Sequence, residues 1–197
     1  DDERIAGGMR QLMGDDMLLT VSEGILHTGG SGWHHDACGP DGFFIGRVAI
    51  YLDELGFEDG CLTVIPGSHH PDYRQALVKS ITKFGVAPEK VPGLYPLVNE
   101  PGDVLFMNHK CFHSALSNRP YRRALHINTV QNTTPEKNEA HFNWLQGFLQ
   151  GETNGWGRFY SDRLIDTSGP ERRKMLDPVI ALGLGNTGKI THLQDLR

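Results

Sequence analysis

Two histidine strings far apart in the chain constrain its fold more than any other feature: Trp33-His34-His35-Asp36, and Cys111-Phe112-His113 followed by Arg122-Arg123. A His-x-Asp pair and one distant His supply two imidazole nitrogens and one carboxylate oxygen. On one face of a ferrous ion these leave the opposite face open, the arrangement of non-haem iron sites that activate oxygen. A fold that uses them must bring remote segments together. In a strand alternate side chains share a face, so His34 and Asp36 point one way and His35 the other. The third ligand is His113 or His109, which alternation alone does not separate. A cation downstream would hold an acidic co-substrate beside the metal.

A lone His-x-Asp is common, and a histidine is more often a hydrogen-bonded structural residue than a ligand, so the surrounding pattern matters. Glu3 to Met13 reads as a helix ended near Gly14, with Ile5, Met9 and Leu12 at helical spacing. Met17 to His27 suggests one or two strands, and His27 to Gly32 a glycine-rich loop. Phe43 to Leu52 is rich in branched and aromatic residues and reads as a strand. Cys61 to Ile65, Tyr95 to Val98, Val104 to Met107 and Ala124 to Val130 read as further strands, with turn signals at Glu58-Asp59-Gly60 and Glu100-Pro101-Gly102-Asp103. Tyr73 to Phe84 has helical character. Beyond Glu136, Phe142, Leu145, Phe148 and Leu149 share one helical face, and Met175, Val179, Ile180 and Leu182 suggest a second helix. Strands joined by hairpin-type turns, then helices, imply a mainly β sandwich or barrel with helices outside it.

With 197 residues, 38% of them hydrophobic and 22% charged, the chain suits one domain, residues 1–197, with a real core. A net charge of -5 with scattered basic residues argues against a nucleic-acid partner. Arg172-Arg173-Lys174 reads as a solvated helix face. No apolar run reaches the length of a membrane span. Three cysteines, Cys38, Cys61 and Cys111, form no CxxC and cannot all pair, which points to reduced thiols and a cytoplasmic setting. The chain opens on Asp1 rather than Met, and the expectation is that some N-terminal sequence is lacking.

Four stretches, in order, resemble the phytanoyl-CoA dioxygenase-like family of Fe(II)/2-oxoglutarate oxygenases: Trp33-His34-His35-Asp36; Asp53 with Asp59-Gly60-Cys61-Leu62-Thr63-Val64-Ile65-Pro66-Gly67-Ser68-His69; Gly102-Asp103-Val104-Leu105-Phe106; and His113, Asn118 and Arg122-Arg123-Ala124. The likeness runs from about Leu18 to Val130. It implies a double-stranded β-helix, the jelly roll of cupin-like proteins, with helices packed outside and at the C-terminus. It implies Fe(II) held by His34, Asp36 and His113, because the family's distal ligand follows the Gly-Asp pair and stands five residues before an Asn. It also implies 2-oxoglutarate chelating the metal and pairing with Arg122, the first of two basic residues before an Ala. Three departures stand out: Ala115 holds a place where the family often has Ser, the Asn118–Arg122 loop is short, and members are commonly longer at the N-terminus.

The chemistry the resemblance implies is O2-dependent hydroxylation of a substrate C–H bond, with 2-oxoglutarate leaving as succinate and CO2. Asp36 disfavours halogenation, which in related enzymes needs a small residue at that place. Arg47, Ala49 and Tyr51 share a strand face that the resemblance puts in the pocket. Arg47 there either binds an acidic group of a small polar metabolite or pairs with a carboxylate such as Asp53 or Glu23. Glu23, His27 and His126 could also approach the pocket. Trp33 reads as packing, and Trp144 and Phe148 as helix core. Two other functions compete: a non-catalytic jelly roll that binds metal or ligand, and a zinc hydrolase, ranked last because no catalytic Glu sits beside the histidines.

Overall fold

A computed structural model describes residues 2–36, 39–117, 119–153 and 160–181. Cys38, Asn118 and Leu182, which the sequence reading used, lie outside the described residues. The chain forms two compact units, Ser22–Asp41 with Ile45–Ile127, and Asp1–Val21 with Gly42–Phe44 and Asn128–Arg197.

In chain order the elements are α1 (Glu3–Met13), β1 (Leu18–His27), β2 (Ser31–His34), β3 (Ile45–Tyr51), β4 (Leu62–Val64), α2 (Pro71–Phe84), β5 (Tyr95–Leu97), β6 (Val104–Asn108), β7 (His113–Ala115), β8 (Arg122–Val130), α3 (Pro135–Thr153), α4 (Asp162–Asp166) and α5 (Pro170–Ala181). The strands make two four-stranded sheets, β1-β8-β3-β6 and β2-β7-β4-β5. Non-sequential neighbours in both sheets, with antiparallel pairing, define a mainly β jelly roll of the cupin-like class.

Strand alternation sets what faces inward. In β3 Arg47 and Ala49 pair with Met107 and Leu105 on β6. In β8 Arg122, Ala124 and His126 are buried while Arg123 and Leu125 are exposed. The middle of this inward face is apolar: Ala49, Tyr51, Leu55, Cys61 and Ala124 pack together with Leu62 and Leu105. A second cluster, Ile65, Leu77, Val91 and Phe112, seats α2 on the smaller sheet. Trp33 joins it, stacked on Phe112 at 5.5 Å with its indole N–H donated to Pro88 O at 2.8 Å, so its role is packing.

Glu100–Asp103 joins β5 and β6 as the turn signal implied, and the two strands lie in different sheets rather than in one hairpin. The turn is clamped to β3 instead, where Gly102 N–H donates to Tyr51 O at 2.7 Å and Tyr51 N–H to Asp103 O at 3.1 Å. A turn signal encodes reversal and not which strand receives each arm. β7, with three residues, was also not legible as a strand, because it is too short to show alternation.

In the other unit, α1 is capped by the Asp2 side chain accepting from Arg4 N–H at 3.0 Å, and it ends at Gly14 as expected. The α3 core face is Leu145 and Leu149, whereas Trp144 and Phe148 are half-buried and stack on each other at 5.1 Å. In α5 the buried residues are Leu176 and Val179, so the face is turned from the expected Met175 and Ile180. α4 carried no periodic signal. Among the described residues, no helix is long and apolar enough to cross a membrane.

Candidate metal centre

β7 lies between β2 and β4, and this order makes His34 and His113 cross-strand partners. A register shift between Ser31 and His34 marks an irregularity in that pairing, of the kind that re-aims side chains next to sites. Asp36 lies just past the end of β2, so strand alternation is not what aligns it with His34. It is held by its own N–H donating to His109 O at 3.0 Å. His34 Nε2 stands 3.4 Å from Asp36 Oδ1, and His113 Nε2 stands 3.6 Å from Asp36 Oδ2. One ligand atom from each of the three residues lies within 4.8 Å of the others, so together they could hold a metal ion.

The ring orientations suit that use. His34 Nδ1 bonds Gly32 O at 2.7 Å and His113 Nδ1 bonds Cys111 O at 2.8 Å. A carbonyl only accepts, so each Nδ1 carries a proton and each Nε2 is the ring nitrogen turned toward Asp36. Burial pushes the His113 imidazole down, against the opposing pull of Cys111 O and Asp36, and so favours its neutral form. Burial raises the Asp36 carboxyl, but Arg47, His113, His109 and His34 outweigh it and hold the group below its usual range. Two imidazole nitrogens and one carboxylate oxygen are a donor set that a divalent transition metal takes. His35 lies apart, in a surface depression with Pro71, Arg74 and Lys79, and His109 is buried outside the three-residue cluster.

Beside the cluster is a cavity of about 210 Å³, lined by His34, His113, Arg47, Tyr51, Arg122 and His126 among others. Arg122 is 4% exposed. Its Nη1 donates to Gly60 O at 2.5 Å, its Nε to Arg119 O at 3.3 Å, and its Nη2 to Gly29 O. These partners are neutral, and no carboxylate pairs with Arg122 among the described residues. Burial lowers its pKa, yet a guanidinium stays charged, so the cavity wall holds an uncompensated cation. Gly60 makes this possible: its φ is +81°, and a Cβ there would stand 2.9 Å from Ser117 Cβ and 3.2 Å from Arg122 Nη1. Arg123 turns outward, and its Nη2 donates to Asp53 Oδ1 at 2.6 Å.

The Arg47 expectation meets an unforeseen partner. Among the described residues its ion pair is with neither Asp53 nor Glu23: Arg47 Nη1 pairs with Asp36 Oδ2 at 3.0 Å while lining the cavity. Nothing in the sequence pointed to a contact between β3 and the residue after β2. Tyr51 lines the same wall, and burial pushes its hydroxyl pKa up to about 12, so it stays protonated. Ala115 also lines the cavity, whereas Ser114 is buried on the other side and donates to Ser31 O at 2.6 Å. The neighbouring serine therefore does not replace the one the family often carries.

Fold and site together define a jelly-roll protein with a two-histidine, one-carboxylate cluster and a buried arginine beside it. The chain belongs to the phytanoyl-CoA dioxygenase (PhyH) family, whose profile matches residues 3–123. The match takes in α1, ahead of the Leu18 start expected from the motifs. Among solved structures it is similar to AviO1 from Streptomyces viridochromogenes Tue57, at 24% identity over 68% of this chain and 59% of that one, TM-score 0.52. It is similar to iron-bound HygX from Streptomyces hygroscopicus, at 17% identity over 66% and 65%, TM-score 0.55. It is also similar to SnoN, an alpha ketoglutarate dependent epimerase from nogalamycin biosynthesis, at 24% identity over 67% and 54%, TM-score 0.52. These likenesses establish the fold, and the chain spans less than two thirds of each of the three. No curated protein matches the chain.

Proposed function

We propose that the chain is a single Fe(II)- and 2-oxoglutarate-dependent dioxygenase domain that hydroxylates a C–H bond of a small polar metabolite. The observation that carries this reading is the convergence of His34, Asp36 and His113 with both Nε2 atoms turned toward the carboxylate. The three would bind Fe(II) on one face. Arg122 would pair with the distal carboxylate of 2-oxoglutarate, a task that a permanently charged, forked donor performs well. Bound metal and co-substrate would supply O2 activation coupled to decarboxylation to succinate and CO2. HygX with nickel and 2-oxoglutarate bound is consistent with that pairing.

The remaining work belongs to the chain's own residues. Ala49, Leu55, Leu62, Leu105 and Met107 give the cavity an apolar lining that limits water near the reacting bond. Arg47 and Tyr51 are the substrate-facing candidates on β3, with Arg47 available to an acidic group only in competition with Asp36 at 3.0 Å. The buried Arg122, which has no carboxylate partner among the described residues, favours an oxygenase over a non-catalytic metal- or ligand-binding jelly roll, which has no need of it.

Succinate formation from 2-oxoglutarate with Fe(II) and ascorbate tests the reading. Succinate that disappears in His113→Ala supports it; metal binding with no succinate under any substrate panel supports the non-catalytic alternative. Product mass then separates hydroxylation, which adds one oxygen atom, from epimerisation, the reaction described for SnoN, which leaves the composition unchanged.

A further inference from the structure

We propose that His126, oriented by Glu23, presents a hydrogen-bond acceptor to the cavity and recognises a hydroxyl group of an uncharged, hydroxylated substrate. The inference rests on the oxygenase reading above and specifies its substrate class. His126 follows Arg122 and Ala124 on the inward face of β8, and its side chain, 7% exposed, lines the cavity. Nδ1 is fully enclosed and makes no hydrogen bond. Its carboxylate neighbour, Glu23 Oε1, stands 4.0 Å away, just outside hydrogen-bond range. A buried polar atom left in this state carries its full desolvation cost, which donation of Nδ1–H to Glu23 relieves.

The protonation state then decides what the other ring nitrogen offers the cavity. Burial, with Arg47 and His27 adding to it, lowers the His126 pKa to about 3, so the ring is neutral at ordinary pH. A neutral imidazole has one N–H and one lone pair. With Nδ1–H directed to Glu23, which a small rotation of either side chain would bring into range, Nε2 becomes the acceptor on the cavity side. Three ligand groups compete for that lone pair. An ammonium would be repelled by Arg47, whose charge already acts on His126. A carboxylate brings only acceptors and a charge of the same sign as Glu23. A hydroxyl donates to Nε2 and buries no charge.

The test loads the chain with Zn(II) and 2-oxoglutarate, a diamagnetic and unreactive state, and titrates it with two six-membered rings. One is myo-inositol, a polyol; the other is tetrahydropyran, which accepts hydrogen bonds but cannot donate them. The expected result is at least about tenfold tighter binding of myo-inositol, roughly 1.4 kcal/mol, with an upfield shift of the unprotonated imidazole 15N of His126. His126→Phe should reduce the preference below about twofold, Glu23→Gln should weaken it, and His126→Gln, whose Oε1 takes the place of Nε2, should keep most of it. Equal binding of the two rings, no saturable myo-inositol binding, or a preference that survives His126→Phe overturns the proposal. Zn(II) and 2-oxoglutarate affinities are measured on the same samples. Their absence in the unsubstituted chain overturns the oxygenase reading itself, whereas their presence without ring discrimination overturns the hydroxyl site alone.

Discussion

His113 and Arg122 are both buried polar residues, but their burial serves different ends. His113 turns a neutral lone pair toward Asp36, and its other ring nitrogen is fixed by Cys111 O at 2.8 Å. His113→Ala is expected to weaken Zn(II) or Fe(II) binding by more than the about 10–100-fold that losing an outer-shell partner costs, read by calorimetry. Among the described residues, Arg122 keeps its charge with backbone carbonyls as its hydrogen-bond partners. Replacing it by Met removes a charge-assisted pair of about 1.5–3 kcal/mol, so the Kd for 2-oxoglutarate should rise by roughly 10- to 150-fold. Metal affinity measured without co-substrate should stay within about threefold of the unsubstituted chain. Arg123→Ala removes an exposed pair with Asp53 and should change 2-oxoglutarate binding by less than about twofold.

At the scale of elements, the site depends on short segments whose backbone is unusual. The turn ending at Gly60 brings a carbonyl to Arg122 and leaves no space for a side chain, with Ser117 Cβ 2.9 Å from where a Cβ would be. Gly60→Ala combines left-handed backbone with that clash, and is expected to cost about 1–3 kcal/mol of stability. Because the strain falls on Arg122 as well, 2-oxoglutarate affinity should drop together with the melting temperature. Gly85→Ala at the left-handed C-cap of α2, where a Cβ meets open space, provides the control. It should lower the melting temperature without changing 2-oxoglutarate affinity.

On the scale of the whole molecule, each compact unit has its own buried anchors. In the unit holding most helices these include Tyr160, which is 1% exposed and donates its hydroxyl to Leu19 O, and the fully buried Leu149 and Leu176. Tyr160→Phe leaves the Leu19 carbonyl without that donor and should cost about 1–3 kcal/mol. Leu176→Ala should cost about 2–5 kcal/mol through lost burial and the cavity left behind. Both are read from denaturant midpoints at unchanged m-value. A Leu176→Ala chain that stays folded should still bind metal, since His34, Asp36 and His113 all belong to the other unit.

The sequence by itself determined the kind of site this protein can build. Ligand chemistry is local, so the His-x-Asp string, the later histidine and the paired arginines could be read without coordinates, and so could the longer strands and helices, whose alternation or periodicity is written along the chain. Tertiary structure decided which of these residues meet. It put β7 between β2 and β4 so that His34 faces His113, it separated β5 from β6, and it gave Arg47 to Asp36 rather than to Asp53. It also turned the α5 face to Leu176 and left His126 enclosed beside Glu23. Such pairings depend on strand order and on bends outside regular elements, and neither leaves a periodic trace in the residues themselves.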